Sequence, residues 1–353
     1  LELLRDPNDL SKLAIQFSKT MKRYFLLCLL FSSANVAIGQ NSAITRIAFG
    51  SCSKDEEQQL WRDVIDQKAQ LWIWLGDNIY GDSQDTSVLK AKYKRQKSNP
   101  DYQLLLRTMS VIGTWDDHDY GVNDGGKFNS KKKIIKETLL EFLDVPSTAL
   151  VRKHEGVYSS YSYGTGDKKV KVILLDTRYF RDTLFASKVE GKRYEVNEKG
   201  DILGEQQWQW LEEELTESDA AVHIIGSSIQ LVAEEQGFEK WANFPTARDR
   251  FFYLLKKTQP KNALVISGDR HIAEISKTDV TGLAYPLYDF TSSGLTHTWS
   301  KDFGESNRYR VGVNIIQKNF GMILIDWSKI TPSITFEVWG KGGKAFLRHT
   351  PFE

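Results

Sequence analysis

The sequence predicts an α/β domain of two sheets packed face to face with helices outside. Three observations predict it. Short apolar runs alternate with amphipathic helical stretches over the first two thirds of the chain. The last third is rich in strands. No Pro/Gly/Ser-rich linker, repeat or low-complexity tract interrupts the 353 residues, so one domain is expected over residues 40–353.

The elements follow in order. Ile44–Gly50 reads as a strand ending in Gly-Ser-Cys, and Gln58–Asp66 has helical spacing through Leu60, Trp61, Val64 and Ile65. Leu71–Leu75 is a buried strand ending in Gly76-Asp77. Thr86–Lys97 and Tyr102–Arg107 are amphipathic helices, and Met109–Trp115 is a strand that runs into acidic residues. Phe128–Leu143 is a helix closed by Asp144-Val145-Pro146. Val157–Tyr163 and Lys169–Leu175 flank Gly164-Thr165-Gly166-Asp167, a hairpin signal. Leu203–Leu215 is a helix, Ala221–Ile225 a strand, Thr246–Lys257 a helix and Ala263–Ser267 a strand. Pro286–Thr291, Val311–Lys318, Met322–Asp326 and Ile334–Trp339 are the late strands. Gly340-Lys341-Gly342-Gly343-Lys344 lacks P-loop spacing and reads as a hairpin turn.

The first forty residues read as a leader. Met21 starts a pattern of Lys22-Arg23, an apolar run from Tyr24 to Phe31, and small residues at Ala37 and Gly39. That is a secretory signal over residues 21–39, with residues 1–20 an upstream extension and a mature start near Gln40. The expected location is periplasmic or secreted, with no membrane anchor after cleavage. Cys28 would leave with the leader, and Cys52 would remain alone. The two cysteines exclude a disulfide framework and a zinc ribbon. With 47 basic and 46 acidic residues the net charge is +1, which argues against nucleic-acid binding.

Four apolar strands end in unusual polar residues. They give Gly50-Ser51-Cys52, Gly76-Asp77-Asn78-Ile79-Tyr80, Asp116-Asp117-His118-Asp119 with Asn123-Asp124, and Gly268-Asp269-Arg270-His271. Sites in α/β sheets form beyond the carboxyl ends of strands. If these strands are parallel neighbours, their ends share one crevice. So many aspartates together repel one another unless cations sit among them. Oxygen donors suit calcium, magnesium, manganese or ferric iron, and a thiolate with a phenolate favours a transition metal.

These strings, with Leu175-Asp176-Thr177-Arg178-Tyr179-Phe180-Arg181 and Leu203-Gly204-Glu205-Gln206-Gln207, resemble the alkaline phosphatase D family of metallophosphatases. The resemblance runs over about residues 44–295. It implies a four-layer α/β/β/α metallophosphoesterase sandwich, two mixed sheets flanked by helices. It also implies hydrolysis of phosphomonoesters and phosphodiesters through a metal-activated water, with ferric iron and calcium as metals. Carried over, Asp77 would bridge the metals. Cys52, Tyr80 and His271 would complete an iron-type position, and Asp117 and Asp269 a calcium-type position. His118 would face substrate, paired with Asp119. Arg178, with Asn123 and Arg181, would contact phosphate. Gly226-Ser227-Ser228-Ile229-Gln230 stands where the wider superfamily often has a metal-binding histidine; His223, inside the strand, reads as structural.

Other readings stand beside this one. The same site would suit a phospholipase or a teichoic-acid phosphodiesterase. Cys52 with His118 or His271 would suit a cysteine hydrolase, although the carboxylate excess speaks against an activated thiolate. A catalytically silent metal-binding module is the third. His154, His297 and His349 are expected to be surface or structural, and Trp208, Trp210, Trp241 and Trp299 to be core. Asp116 is left outside the metal set as a turn residue.

Overall fold

The computed structural model describes residues 42–57 and 60–351. The leader expected over 21–39 and the extension over 1–20 lie outside them. Strands β1 to β15 and helices α1 to α6 are numbered along the chain. In the first sheet β1 (Arg46–Gly50), β2 (Leu71–Leu75) and β3 (Ser110–Thr114) run parallel as neighbours. The other edge of β1 pairs antiparallel with β13 (Phe320–Asp326), followed outward by β14 (Ser333–Gly340) and β15 (Lys344–His349), so the order is β15-β14-β13-β1-β2-β3.

The second sheet joins β4 (Ser159–Tyr163), β5 (Val170–Leu174), β8 (Val222–Gly226), β9 (Ala263–Ser267), β10 (Ala273–Thr278), β11 (Leu287–Ser292) and β12 (Arg310–Ile315). Its order is β12-β10-β11-β9-β8-β5-β4, with parallel pairing from β11 through β9 and β8 to β5. The two-residue strands β6 (Phe185–Ala186) and β7 (Tyr194–Glu195) form a small separate hairpin.

Strand alternation builds the layers. In β2, Leu71, Ile73 and Leu75 enter the core between the sheets, where they meet Val172, Leu174, Ile224, Leu264 and Ile266 of the other sheet. Trp72 and Trp74 point the other way, under the helices. A strand buried on both faces reads as one unbroken apolar run, as β2 does. Helices α1 (Trp61–Asp66), α2 (Thr86–Ser98), α3 (Pro100–Thr108) and α4 (Lys132–Phe142) cover the outer face of the first sheet. Helices α5 (Gly204–Thr216) and α6 (Pro245–Thr258) cover the second through Trp208, Leu211, Phe251 and Leu255. The result is the expected four-layer α/β/β/α sandwich of two mixed sheets.

Local signals explain the helix starts. The Asp85 carboxylate accepts from the Ser87 amide at 2.8 Å to cap α2, and Asn99 accepts from Asp101 at 2.9 Å to cap α3, with Pro100 at the first turn. Besides the short hairpin of β6 and β7, two strands lie outside the sequence expectation. β10 begins two residues after His271 and is hidden by the polar string before it. β15 is an edge strand with no fully buried residue, so it lacks a clear apolar face. Among the described residues, no helix is long and apolar enough to cross a membrane.

Trp61 is buried, with its ring 5.2 Å from both Trp72 and Trp74 in edge-on contact and 5.0 Å from Tyr102. It ties α1 and α3 to the outer face of the first sheet. Replacing it with alanine leaves a cavity among rings that cannot collapse. Trp61→Ala is expected to lower unfolding free energy by about 3–5 kcal/mol; chemical denaturation measures this, and a loss under about 1 kcal/mol would contradict the packing described.

Candidate metal centre

The four polar strings meet at one end of the sandwich. Three follow β1, β2 and β3, which are adjacent and parallel; the fourth follows β9 in the opposite sheet. The crevice therefore lies between the sheets rather than along a single one. After β1, β2 and β9 the chain enters a conformation that a side chain rarely adopts. Cys52, Asp77, Asp269 and His271 have φ of 60°, 49°, 67° and 56°. Such left-handed residues outside glycine are uncommon and gather at functional sites. Gly76 makes the approach possible: a Cβ there would stand 2.3 Å from the Asp116 Cβ. Without one, the ends of β2 and β3 close together and bring Asp77 beside Asp117 and His118.

Three sets of side chains have donor atoms within 4.8 Å of one another: Cys52, Asp77 and His271; Asp77, Asp117 and His118; and Asp116, Asp117 and Asp269. Asp77 belongs to the first two and Asp117 to the last two. The Cys52 Sγ lies 3.4 Å from the Asp77 carboxylate, and the Tyr80 hydroxyl lies 2.9 Å from His271 Nε2. All six expected metal ligands are thus brought together. Asp116 joins them. Its Oδ1 accepts from Arg178 Nε and from the Ser228 hydroxyl, both at 2.6 Å, while its Oδ2 is buried with no hydrogen-bond partner. A buried, partnerless carboxylate oxygen beside two more aspartates is what a cation would satisfy, so the residues fit metal ions.

The electrostatics agree. Burial pushes the Asp77 carboxyl well above the carboxylate range, with Asp117, Asp116 and Asp119 adding to this against His118. Burial and then Asp116 and Asp117 do the same to Asp269. Asp116 rises to about 7 by burial, opposed by Arg178. The Cys52 thiol is fully buried and pushed up by that burial and by Asp77 and Asp269. This is the reverse of what an activated nucleophile needs. Burial, with His118 and Arg270, pushes His271 down to about 4, leaving the neutral imidazole a metal requires.

Several expectations are corrected by the geometry. His118 does not pair with Asp119. Its Nδ1 lies 2.5 Å from Asp82 Oδ1. Burial pushes this imidazole down, but Asp77, Asp82 and Asp117 outweigh it and raise it to about 11. Asp119 is buried under the site. It accepts from the amides of Asn78, Ile79 and Asp116 and from the Tyr93 hydroxyl, pinning the loop that carries Asp77 and Tyr80.

Arg178 is 0 % exposed and ion-paired to Asp116 and Glu239 at 2.5 Å each, so it stands behind Asp116 and does not reach a substrate. Arg181 is also buried, paired with Glu239 at 2.8 Å and bonded to the Asp124 carbonyl. Asn123 is exposed and donates to Asp124 at 2.7 Å; the Asp124 amide in turn donates to Asp117 at 2.7 Å, which places Asn123 at the rim.

Sequence reasoning missed Asp82 and His297. Asp82 follows Tyr80-Gly81 and is itself left-handed, but one aspartate in a turn carries no signal. His297 is not a remote surface residue: its ring lies 4.4 Å from His271 and 4.9 Å from Tyr80. Thr296, beside it, donates to the Cys52 carbonyl at 3.0 Å and brings the 294–299 loop over the site. His223, as expected, is structural, held between the Lys261 carbonyl and the Ser218 hydroxyl at 2.8 Å each.

Comparison with known proteins decides the family. A family model described as PhoD-like phosphatase matches residues 47–308. The chain belongs to the PhoD-like phosphatase family. It is 22 % identical over 288 residues to alkaline phosphatase D of Bacillus subtilis, covering 69 % of this chain and 48 % of that protein. The chain thus spans about half the length of this curated relative. Among solved structures it is similar in fold to "Structure of PhoD", with TM-score 0.64 and 16 % identity over 89 % of this chain and 73 % of the other. It is also similar in fold to the Plasmodium inner-membrane-complex anchor GAP50, with TM-score 0.56 and 14 % identity over 88 % and 89 % of the two chains. A dimetal phosphatase from Danio rerio gives TM-score 0.52 and 12 % identity over 88 % and 99 %. The three donor sets are candidate positions for metal ions.

Because Asp77, Asp116 and Asp269 hold protons above the usual range, cation uptake must displace them. Metal-free protein is expected to release on the order of one proton per ion near pH 7, with affinity rising from about pH 6 to about pH 8. Calorimetry in two buffers of different ionisation enthalpy checks this, and equal heats in both would contradict it.

Proposed function

We propose that the chain is an exported metal-dependent phosphoesterase acting on phosphomonoesters, phosphodiesters or both. The observation that carries this reading is the chain of donor sets linked through Asp77 and Asp117, with His118 beside them and held by Asp82. We assign a transition metal, iron first, to Cys52, Asp77, Tyr80 and His271, because sulfur, phenol and imidazole donors favour one. We assign a hard cation, calcium first, to Asp116, Asp117 and Asp269, with manganese or magnesium as substitutes. Bound there, the ions would lower the pKa of a water and draw charge from phosphoryl oxygens.

The chain's own residues supply the rest. With Nδ1 engaged by Asp82, His118 Nε2 is the nitrogen left to donate a proton to a leaving alkoxide. The Asp82 carboxylate against Nδ1 favours the protonated imidazole. Asp119 fixes the loop that carries Asp77 and Tyr80. Arg178 and Glu239 fix Asp116. Export rests on the Met21–Gly39 pattern, and N-terminal sequencing of secreted material should find Gln40 first.

The deciding experiment is elemental analysis of purified protein beside paired assays on a chromogenic monoester and diester. Undiminished turnover after the metals are stripped would sink the reading, and metal content without turnover would favour the silent module. His118→Ala is expected to lower kcat by roughly 10²- to 10⁴-fold with metal content unchanged. Asp82→Asn removes a charge that holds the proton on His118, so the alkaline limb of the pH–rate profile should move to lower pH. An unmoved limb would separate Asp82 from His118 function.

A further inference from the structure

The small hairpin of β6 and β7 has no partner strand in either large sheet. Its strands are two residues each, with Phe185 opposite Glu195 and Ala186 opposite Tyr194. A lone hairpin is marginally stable at best in water. Core packing does not hold this one, since Phe185 and Val189 are exposed. Backbone contacts tether it instead. The Arg193 amide donates to the Gly237 carbonyl and the Asn197 amide to the Asn243 carbonyl, both at 2.7 Å. Gly237 permits the close approach: a Cβ there would stand 2.1 Å from the Gly191 carbonyl oxygen. A long excursion that buries so little apolar surface points to a use other than stability.

That use lies in what the hairpin touches. Its consecutive residues Arg193 and Tyr194 converge on one oxygen, Asp124 Oδ2. Arg193 Nη2 lies 3.0 Å from it, and the Tyr194 hydroxyl donates to it. Arg181 donates to the Asp124 carbonyl. The Asp124 backbone is left-handed, with φ of 50°, and the Gly125 amide closes the turn on the Val122 carbonyl at 2.7 Å. With side chain, carbonyl and turn all held, the Asp124 amide is fixed in direction, and it donates to Asp117 Oδ2 at 2.7 Å. The other oxygen, Asp117 Oδ1, accepts from the His118 amide at 2.9 Å. Asp117 is thus gripped by one amide on each oxygen, and the hairpin sets the position of one of them. Asp117 belongs to two of the three donor sets, so the tilt of its carboxylate bears on both.

We propose that the β6–β7 hairpin is a positioning element of the metal centre: Tyr194 and Arg193 hold Asp124, and Asp124 holds Asp117 in the orientation that receives the oxygen-seeking cation. Outer partners of ligating carboxylates orient them and tune metal affinity. The inference rests on the metal-dependent phosphoesterase reading and adds residues that set one of its cation positions. The coupling runs both ways, so a cation at Asp117 should also steady the hairpin.

The test uses purified protein freed of calcium by a calcium-selective chelator and titrated with calcium by calorimetry. Tyr194→Phe removes one hydroxyl and Arg193→Ala one half-exposed side chain, and neither residue belongs to a donor set. Each is expected to weaken calcium binding about tenfold, and the double variant towards a hundredfold, with transition-metal content unchanged. Val189→Ala, an exposed residue of the same hairpin, should leave calcium affinity as it is. Calcium should in turn slow tryptic cutting after the exposed Lys188, and Tyr194→Phe should lose most of that protection. Unmoved calcium affinity in the double variant, equal cutting with and without calcium in the unaltered protein, or loss of the transition metal along with calcium overturns the positioning role while turnover of phosphate esters still stands. If the unaltered protein takes up no metal and hydrolyses no ester, the phosphoesterase reading fails and the positioning role fails with it.

Discussion

Mutual repulsion among aspartates at one end of the sandwich is the constraint on which the rest depends. Asp77, Asp116, Asp117 and Asp119 are buried together, with Asp269 facing them from the other sheet. No fold would hold them so without compensation. The protein supplies part of it from behind. Arg178 and Arg181 share Glu239, and Arg178 spans to Asp116, so two guanidinium groups and two carboxylates form a closed buried network. Asp119 is neutralised in another way, by three amides and the Tyr93 hydroxyl. What remains uncompensated faces the crevice, and cations are the natural counter-charge there. The small net charge of the whole chain hides this local excess.

Geometry and electrostatics reinforce each other at the strand ends. A strand that continued straight would carry Cys52, Asp77, Asp269 and His271 past the crevice. The left-handed turn at each one swings the side chain back. Left-handed backbone outside glycine costs of order 1 kcal/mol or more. The sheets above, packed through continuous apolar strands on both faces, are rigid enough to sustain that cost at four places. Layer packing and site chemistry are therefore one problem: the strands that make the core are the same strands that aim the ligands.

The sequence made the layers and the ligand strings legible for a shared reason. Buried strands such as Leu71–Leu75 appear as unbroken apolar runs, and a polar string directly after such a run cannot be core. What escaped notice lacked that contrast. Asp82 and His297 belong to loops whose place over the site depends on tertiary contacts, such as Thr296 to the Cys52 carbonyl. Arg178 misled in the opposite sense. An arginine after a strand end reads as a phosphate contact, and only the burial of Glu239, 61 positions later, shows where its charge is spent. Asp119 reads as the partner of His118 because it is its neighbour, but adjacent residues in a tight turn face different ways.

Ser228 brings these strands of argument together. It lies in the Gly226–Gln230 stretch, which stands where the superfamily resemblance leads one to expect a metal-binding histidine. Its hydroxyl lies 2.6 Å from Asp116 Oδ1 and 2.5 Å from the Thr177 hydroxyl. Serine there is too short to serve as an imidazole would, and it orients Asp116 instead. With Arg178 on the same oxygen, Oδ1 is engaged and Oδ2 is left without a hydrogen-bond partner, in a carboxylate grouped with Asp117 and Asp269. Asp116 thus offers a carboxylate oxygen beside a stretch where the resemblance implies a nitrogen donor. Replacing nitrogen by charged oxygen hardens the donor set and adds negative charge, and both changes favour an oxygen-seeking cation over a transition metal at that position. The two ends of the centre are thereby differentiated by chemistry: sulfur, phenol and imidazole on one side of Asp77, and carboxylates alone on the far side of Asp117.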